Sequence, residues 1–310
     1  MATVGLLERL RRSLGIGLVL GHVDHGLRPE SAQEATAVAD LADQCGLAHL
    51  QTRLDLERGS GLPERAREAR RKALLAQAES CGAAAIVLGH TATDQAESML
   101  MHMVRGAGLD GIAGMASYEA RASLSGRGPS VALLRPVLGL TRAQTRALVG
   151  LFELPFVDDP SNRDTKNFRV AVREQLFSTL SRFNPRVEQA LCGAAEQARD
   201  AQDALSEWCD RELRGRHRRD ETWDLRGFHS LPRAIRTRVL RSICLAEGAD
   251  PAHLRYSVVV ELTAAATAIS AAYEGARRSP GGERPRTWDL RPRCCIRIDK
   301  NGLQRVSNVR

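Results

Sequence analysis

IGLVLGHVDHGLR, residues 16–28, is the stretch on which the fold turns. Ile16 to Val23 form an apolar run of strand length, followed by polar residues and a glycine, so the segment reads as a short apolar strand ending in a polar turn. GHVDHG within it spells the opening of a phosphate-binding loop. That loop requires Lys and then Ser or Thr after its second glycine, to reach phosphate and magnesium, and here Leu27 and Arg28 follow. Taken by itself, the stretch is therefore read as a strand with a polar end and a glycine turn.

Working outward, helix and strand signals alternate. Val4, Leu7, Leu10 and Leu14 repeat at helical spacing before the strand. Ser31 and Glu34 form a capping-box pattern for a helix reaching about Cys45, and His49 to Leu54 reads as the next strand. Pro63 opens a helix through Ser80, Ala84 to Leu88 is a strand, Ala92 to Val104 a helix, Val131 to Leu134 a strand, and a helix follows from Thr141. This pattern predicts a doubly wound α/β domain with a parallel sheet over residues 1–157. Residues 158–185 read as a connector. Residues 186–310 read as a smaller, mainly helical second domain: a long polar helix over Val187 to Leu213, apolar helices over Leu231 to Leu245 and Leu254 to Ala272, a Pro/Gly/Arg-rich turn over Arg277 to Arg286, and two strands near Cys294 to Ile298 and Leu303 to Val306.

The chain has 310 residues, 45 Lys and Arg against 37 Asp and Glu, and a net charge of +8. Such a surface favours a polyanionic partner without specifying one. Seven cysteines with no C-x-x-C pair argue against a disulfide framework and against a zinc or iron–sulfur site, and point to a reducing cytoplasm. No apolar run is long enough to span a bilayer, so no membrane partner is expected.

Two further runs carry chemistry. In GHTATDQAES, residues 89–98, a strand ends at His90 and a helix starts within a few residues, which puts Asp94 and Glu97 on one face of its first turns. Carboxylates there can hold magnesium against phosphates or accept hydrogen bonds from an amine; Thr91 and Asp94 can also be a plain capping box. RGAGLDGIAGM, residues 105–115, has glycines that permit a tight loop against a ligand or against backbone, and Arg105 ends the helix where a cation suits the dipole.

HVDHGLR, GHTATDQAES and RGAGLDGIAGM together resemble the tRNA(Ile)-lysidine synthetases, members of the N-type ATP pyrophosphatase or PP-loop group. The likeness extends over about residues 1–190. It implies an adenine nucleotide alpha hydrolase-like α/β fold. It also implies an ATP- and Mg2+-dependent ligase that adenylates C2 of the wobble cytidine in a tRNA(Ile) bearing a CAU anticodon, then lets the side-chain amine of free L-lysine displace AMP to give lysidine. Transferred to this chain, the family pattern places His22, Asp24, His25, Gly26, Arg28 and Gly89 at ATP. It makes His90, Asp94, Glu97, Arg70 and Arg105 catalytic, with Asp94 a magnesium ligand, although Thr93 stands where the family usually has a second aspartate. The segments DDPSN (158–162), NFRVAVR (167–173) and NPRV (184–187) resemble the family's link to its tRNA-contacting part. There the family's R-N-R-I-R becomes Arg169-Val170-Ala171-Val172-Arg173, so Arg169 and Arg173 are the expected tRNA contacts. A homodimer is compatible with the sequence. The resemblance further leads one to expect an apolar strand and an S-G-G-x-D-S loop in frame upstream of Met1, the central strand of the sheet otherwise being absent. The alternatives are a catalytically inactive homologue that binds tRNA, or another PP-loop tRNA-modifying enzyme such as a thiolation enzyme.

Overall fold

The computed structural model describes residues 1–24, 26, 31–57, 59, 61–120, 131–154, 168–218, 221–275, 285–290, 294–299 and 302–306. His25, Arg28 and the stretch 158–162, all given roles above, lie outside the described residues, as do the capping side chains of Ser31 and Glu34. Packing divides the chain into two compact units, Met1–Arg199 and Asp200–Arg310.

In the first unit, helices and strands alternate as the periodicity requires. α1 (Ala2–Leu14) stops where Gly15 takes a left-handed conformation and returns its N–H to the last carbonyls of the helix. β1 (Val19–Asp24), α2 (Ser31–Gln44) and β2 (Ala48–Arg53) follow, and β1 and β2 pair in parallel, Val19 opposite Ala48 through Asp24 opposite Arg53. α3 (Leu62–Ser80), with Pro63 in its first turn, leads to β3 (Ala85–Val87). Gln77 on α3 is buried and donates from Nε2 to the His22 carbonyl at 3.0 Å and to Thr52 Oγ1 at 2.8 Å, so one side chain fixes the helix against both strands.

α4 (Ala92–Val104) and the short α5 (Leu109–Ile112) precede β4 (Tyr118–Glu119) and β5 (Ala132–Leu134), and α6 (Arg142–Leu151) follows. β5 lies between β3, to which it is parallel, and β4, to which it is antiparallel. The doubly wound parallel α/β reading is therefore seen as two ladders among the described residues, β1–β2 and β3–β5–β4. The antiparallel β4 is an addition that two residues of sequence could not signal.

The stretch 168–183, expected as connector, is helical: α7 (Phe168–Ala171), a π-wound turn (Val172–Phe177) and α8 (Ser178–Phe183). The reason is apolar burial, because Val172 and Phe177 join Ala96 and Leu100 of α4 and Val187 in one cluster. α9 (Val187–Leu213) contributes residues to both units.

The second unit packs α10 (Arg233–Ala246) and α11 (Tyr256–Gly275) with an antiparallel sheet of β6 (Arg286–Asp289), β7 (Cys295–Asp299) and β8 (Gly302–Val306). Phe228, Ile235, Leu240, Ile243, Leu262, Ile296 and Leu303 form its centre. β6 is the strand the sequence did not reveal, since arginine and proline around it mask its one aromatic, Trp288. Cys294 and Cys295 are both buried and free, consistent with a role as small apolar residues. No helix among the described residues is long and apolar enough to cross a membrane.

The glycine-rich run 105–115 presses against the protein itself. Gln95 brackets the backbone of Met115, accepting from its N–H at 2.7 Å and donating to its carbonyl at 3.2 Å, while Arg199 donates to the carbonyls of Ala113 and Met115. Gly114 makes the close turn between them with φ of +63°, and a Cβ there would stand 2.7 Å from the Gln95 amide. Gly114→Ala should therefore destabilise the first unit by about 1–3 kcal/mol. Gly108→Ala, at a φ of −75° with nothing within 4 Å, should be close to neutral. Urea melts of the two variants check the contrast.

Candidate functional site

The site is built on the first turns of α4. Thr91 caps the helix: its Oγ1 accepts from the Asp94 N–H at 3.3 Å, and Asp94 Oδ2 accepts from the Thr91 N–H at 2.9 Å and from its hydroxyl at 2.7 Å. The capping box foreseen as the plain alternative is present. It occupies only one carboxylate oxygen. The other, Oδ1, accepts from Arg169 Nη2 at 2.8 Å and lies 3.6 Å from Arg142 Nη2.

Glu97, one turn on, has no solvent exposure. Arg169 Nε donates to its Oε2 at 2.6 Å, Arg173 Nε to its Oε1 at 2.6 Å, and Arg142 Nη2 lies 3.9 Å from Oε1. Arg169 and Arg173 are four residues apart, on one face of the helical segment packed on α4, so both reach a single carboxylate. The intervening Val170 and Val172 are buried. Arg169 and Arg173, the residues expected to contact tRNA, direct these donors at Asp94 and Glu97.

Arg142, which sequence reasoning did not single out, is the third cation of the cluster. Its backbone N–H donates to Thr93 Oγ1 at 3.0 Å, so Thr93, the residue that departs from the family's aspartate pair, satisfies the first amide of α6. The metal role expected of Asp94 meets an obstacle. Both of its oxygens are engaged and the guanidinium groups of Arg142 and Arg169 lie at them, an arrangement that repels a dication. The residues present do not fit a magnesium ion at Asp94.

His90 follows β3, partly buried. Arg135, just past β5 and 6% exposed, donates from Nε to His90 Nδ1 at 3.2 Å and from Nη1 to the Ala116 carbonyl and to Glu119 Oε1, each at 2.6 Å. Arg135 was also missed; its one local signal was a charged residue set between two apolar strings, ALL and PVL. Burial lowers the His90 pKa from its ordinary 6.5; Asp94 opposes this, and the cations of Arg135, Arg169 and Arg70 add to it. For Asp94, burial favours the neutral acid, but the Thr91 hydrogen bonds and the charges of Arg169 and Arg142 outweigh it and hold the pKa below the ordinary 3.8.

The other expected residues are dispersed. Arg70 is exposed on α3, near enough for its charge to act on His90. Arg105 ends α4 about 16 Å from Asp94 at the helical rise of about 1.5 Å per residue, with its guanidinium 5.3 Å from the Phe168 ring centre. His22 and Asp24 lie on β1. Asp24 is buried and accepts the Gly26 N–H at 2.8 Å, closing a tight turn in which Gly26 has φ of +62°, and a Cβ on Gly26 would stand 3.0 Å from the Leu54 carbonyl. Gly89 faces α1, where a Cβ would stand 3.0 Å from Thr3 Oγ1.

The two lowered pKa values have the same consequence for stability. In each case the unfolded chain binds the proton more readily, so stability is present above the unfolded pKa and falls as pH drops. Loss should begin below about 6.5 through His90 and recur below about 3.8 through Asp94. His90→Gln should remove the first decline and leave the second, as denaturation measured across the acid range will show.

Comparison with known proteins agrees with this architecture. The PP-loop domain family matches residues 1–180. The tRNA(Ile)-lysidine synthase of a Bradyrhizobium species (strain BTAi1) is 39% identical over 254 residues, 77% of this chain and 69% of that protein. The tRNA(Ile)-lysidine synthase of Salinispora tropica is 39% identical over 286 residues, 91% of this chain and 82% of that protein. Among solved structures, the U34-tRNA thiolase NcsA from Methanococcus maripaludis with its [4Fe-4S] cluster superposes with a TM-score of 0.51 over 64% of this chain and 69% of that one, at 15% identity, a likeness of fold alone. With its PP-loop domain and its identity to these relatives over most of its length, the chain belongs to the tRNA(Ile)-lysidine synthase family.

Proposed function

We propose that the protein uses ATP to adenylate the C2 carbonyl oxygen of the wobble cytidine in a tRNA(Ile) with a CAU anticodon, releasing diphosphate. The side-chain amine of free L-lysine then attacks C2, AMP leaves, and a proton is lost to give lysidine. Membership of the lysidine synthase family carries this reading, and the cluster at the start of α4 supports its chemistry.

The carboxylates of Asp94 and Glu97 are matched by three guanidinium groups, those of Arg142, Arg169 and Arg173. Among the described residues the excess is cationic. Such an excess, fixed in position before substrate arrives, stabilises negative charge that develops on a transferring phosphoryl group or a departing AMP. Arg169, 37% exposed while bonded to both carboxylates, is the member best placed to meet substrate. His22, Asp24, His25, Gly26, Arg28 and Gly89 remain the proposed nucleotide contacts. Magnesium, where the reaction needs it, would be carried by the nucleotide phosphates, because Asp94 offers no open oxygen. A homodimer and a cytoplasmic location complete the proposal.

Arg169→Ala separates site chemistry from folding. Removing one partner of a buried ion pair costs about 3–5 kcal/mol, here moderated because Arg173 still holds Glu97, and a domain of typical stability, about 5–15 kcal/mol, survives that loss. Lysine- and tRNA-dependent AMP release should fall about a hundredfold while the melting transition stays cooperative. Near-normal turnover in this variant would refute the role given to the cluster.

A further inference from the structure

We propose that Arg135 is a positioning residue that fixes the ring tautomer of His90, leaving Nδ1 as an acceptor and Nε2–H as the one donor the imidazole offers to the site. A guanidinium group has donors only, so the Arg135 Nε to His90 Nδ1 hydrogen bond, 3.2 Å long, can form only if Nδ1 carries no proton. A neutral imidazole bonded in this way has its proton on Nε2. Protonating the ring would place N–H against N–H and break the bond.

Arg135 is itself held. Its Nη1 donates to the Ala116 carbonyl and to Glu119 Oε1, its own backbone N–H donates to the Ser117 carbonyl at 2.8 Å, and it is almost wholly buried. These acceptors follow directly on the glycine-rich run, whose end is clamped by Gln95 and Arg199. A continuous set of hydrogen bonds therefore runs from the loop through Arg135 to His90. The charged groups acting on the ring come from every side: Asp94 on α4, Arg135 after β5, Arg169 on α7 and Arg70 on α3. Among the described residues three of these four are cations and, with burial, oppose protonation, which agrees with the geometry.

The consequence is specific. His90 would act at the site as a neutral donor, able to bond a phosphate oxygen without adding charge and to keep doing so as pH falls toward the ordinary histidine range. That catalytic use rests on the proposed reaction; the tautomer does not, and the two can be tested apart.

The test is nitrogen-resolved NMR of the labelled protein, with the His90 ring signals assigned by their absence in His90→Gln. In the unmodified protein Nδ1 should be unprotonated and Nε2 protonated, with a scalar coupling across the bond from Arg135 Nε to His90 Nδ1. In Arg135→Met and Arg135→Gln the ring should become a mixture of tautomers, and its titration should move up toward 6.5. Where the protein turns over, the acid limb of kcat/KM should move up with it. A protonated Nδ1 in the unmodified protein, or a ring unchanged in folded Arg135→Met, would overturn the proposal. If neither variant folds, the spectrum of the unmodified protein decides. Loss of turnover with the tautomer as described would instead count against the proposed reaction.

Discussion

A carboxylate without solvent exposure is tolerable only if charge and hydrogen bonds replace its water, and Glu97 imposes that condition on the first unit. Arg169 and Arg173 meet it from a helical segment more than seventy residues away in sequence. To deliver both guanidinium groups to one carboxylate, that segment must be wound as a helix and lie along α4. The same placement buries Val172 and Phe177 against Ala96 and Leu100, so electrostatics and apolar packing select one register. Spacing of three on α4 and four on the partner is the sequence expression of this arrangement.

The second dependency runs through the loop after α4. Its glycines give it a path tight enough for Gln95 and Arg199 to hold its backbone, and its exit supplies the Ala116 carbonyl and Glu119 to Arg135. The glycine-rich run thus leads, in this chain, into a support behind His90. A ligand pressed against those glycines is not needed to account for them.

What the sequence disclosed was local. Capping by Thr91 and Asp94, Pro63 in the first turn of α3, and the apolar strings of β1, β3 and β5 each report on neighbours a few residues apart, and each element formed where those signals stood. The clustering of His90, Asp94 and Glu97 was legible for the same reason, since one helix start carries all three. The partners were not: Arg135 is 45 residues from His90 and Arg169 is 72 from Glu97, and no periodicity encodes a contact at that separation. β6 was hidden because its strand character rests on pairing with β7, while its own residues, Arg286 to Asp289, are mostly polar.

The charge balance of the cluster bears on how the two substrates could use it. An incoming ammonium group would have to displace an arginine from Asp94 or Glu97, because each carboxylate oxygen is already met by a donor or lies near a guanidinium. An anion meets less competition, since among the described residues the arginines exceed the carboxylates and their attraction is strengthened by partial burial. The fixed charges at the start of α4 therefore favour the phosphate side of an adenylated intermediate. In the proposed reaction the lysine amine, which must be neutral to attack, would gain from the same field, because nearby cations disfavour its protonation.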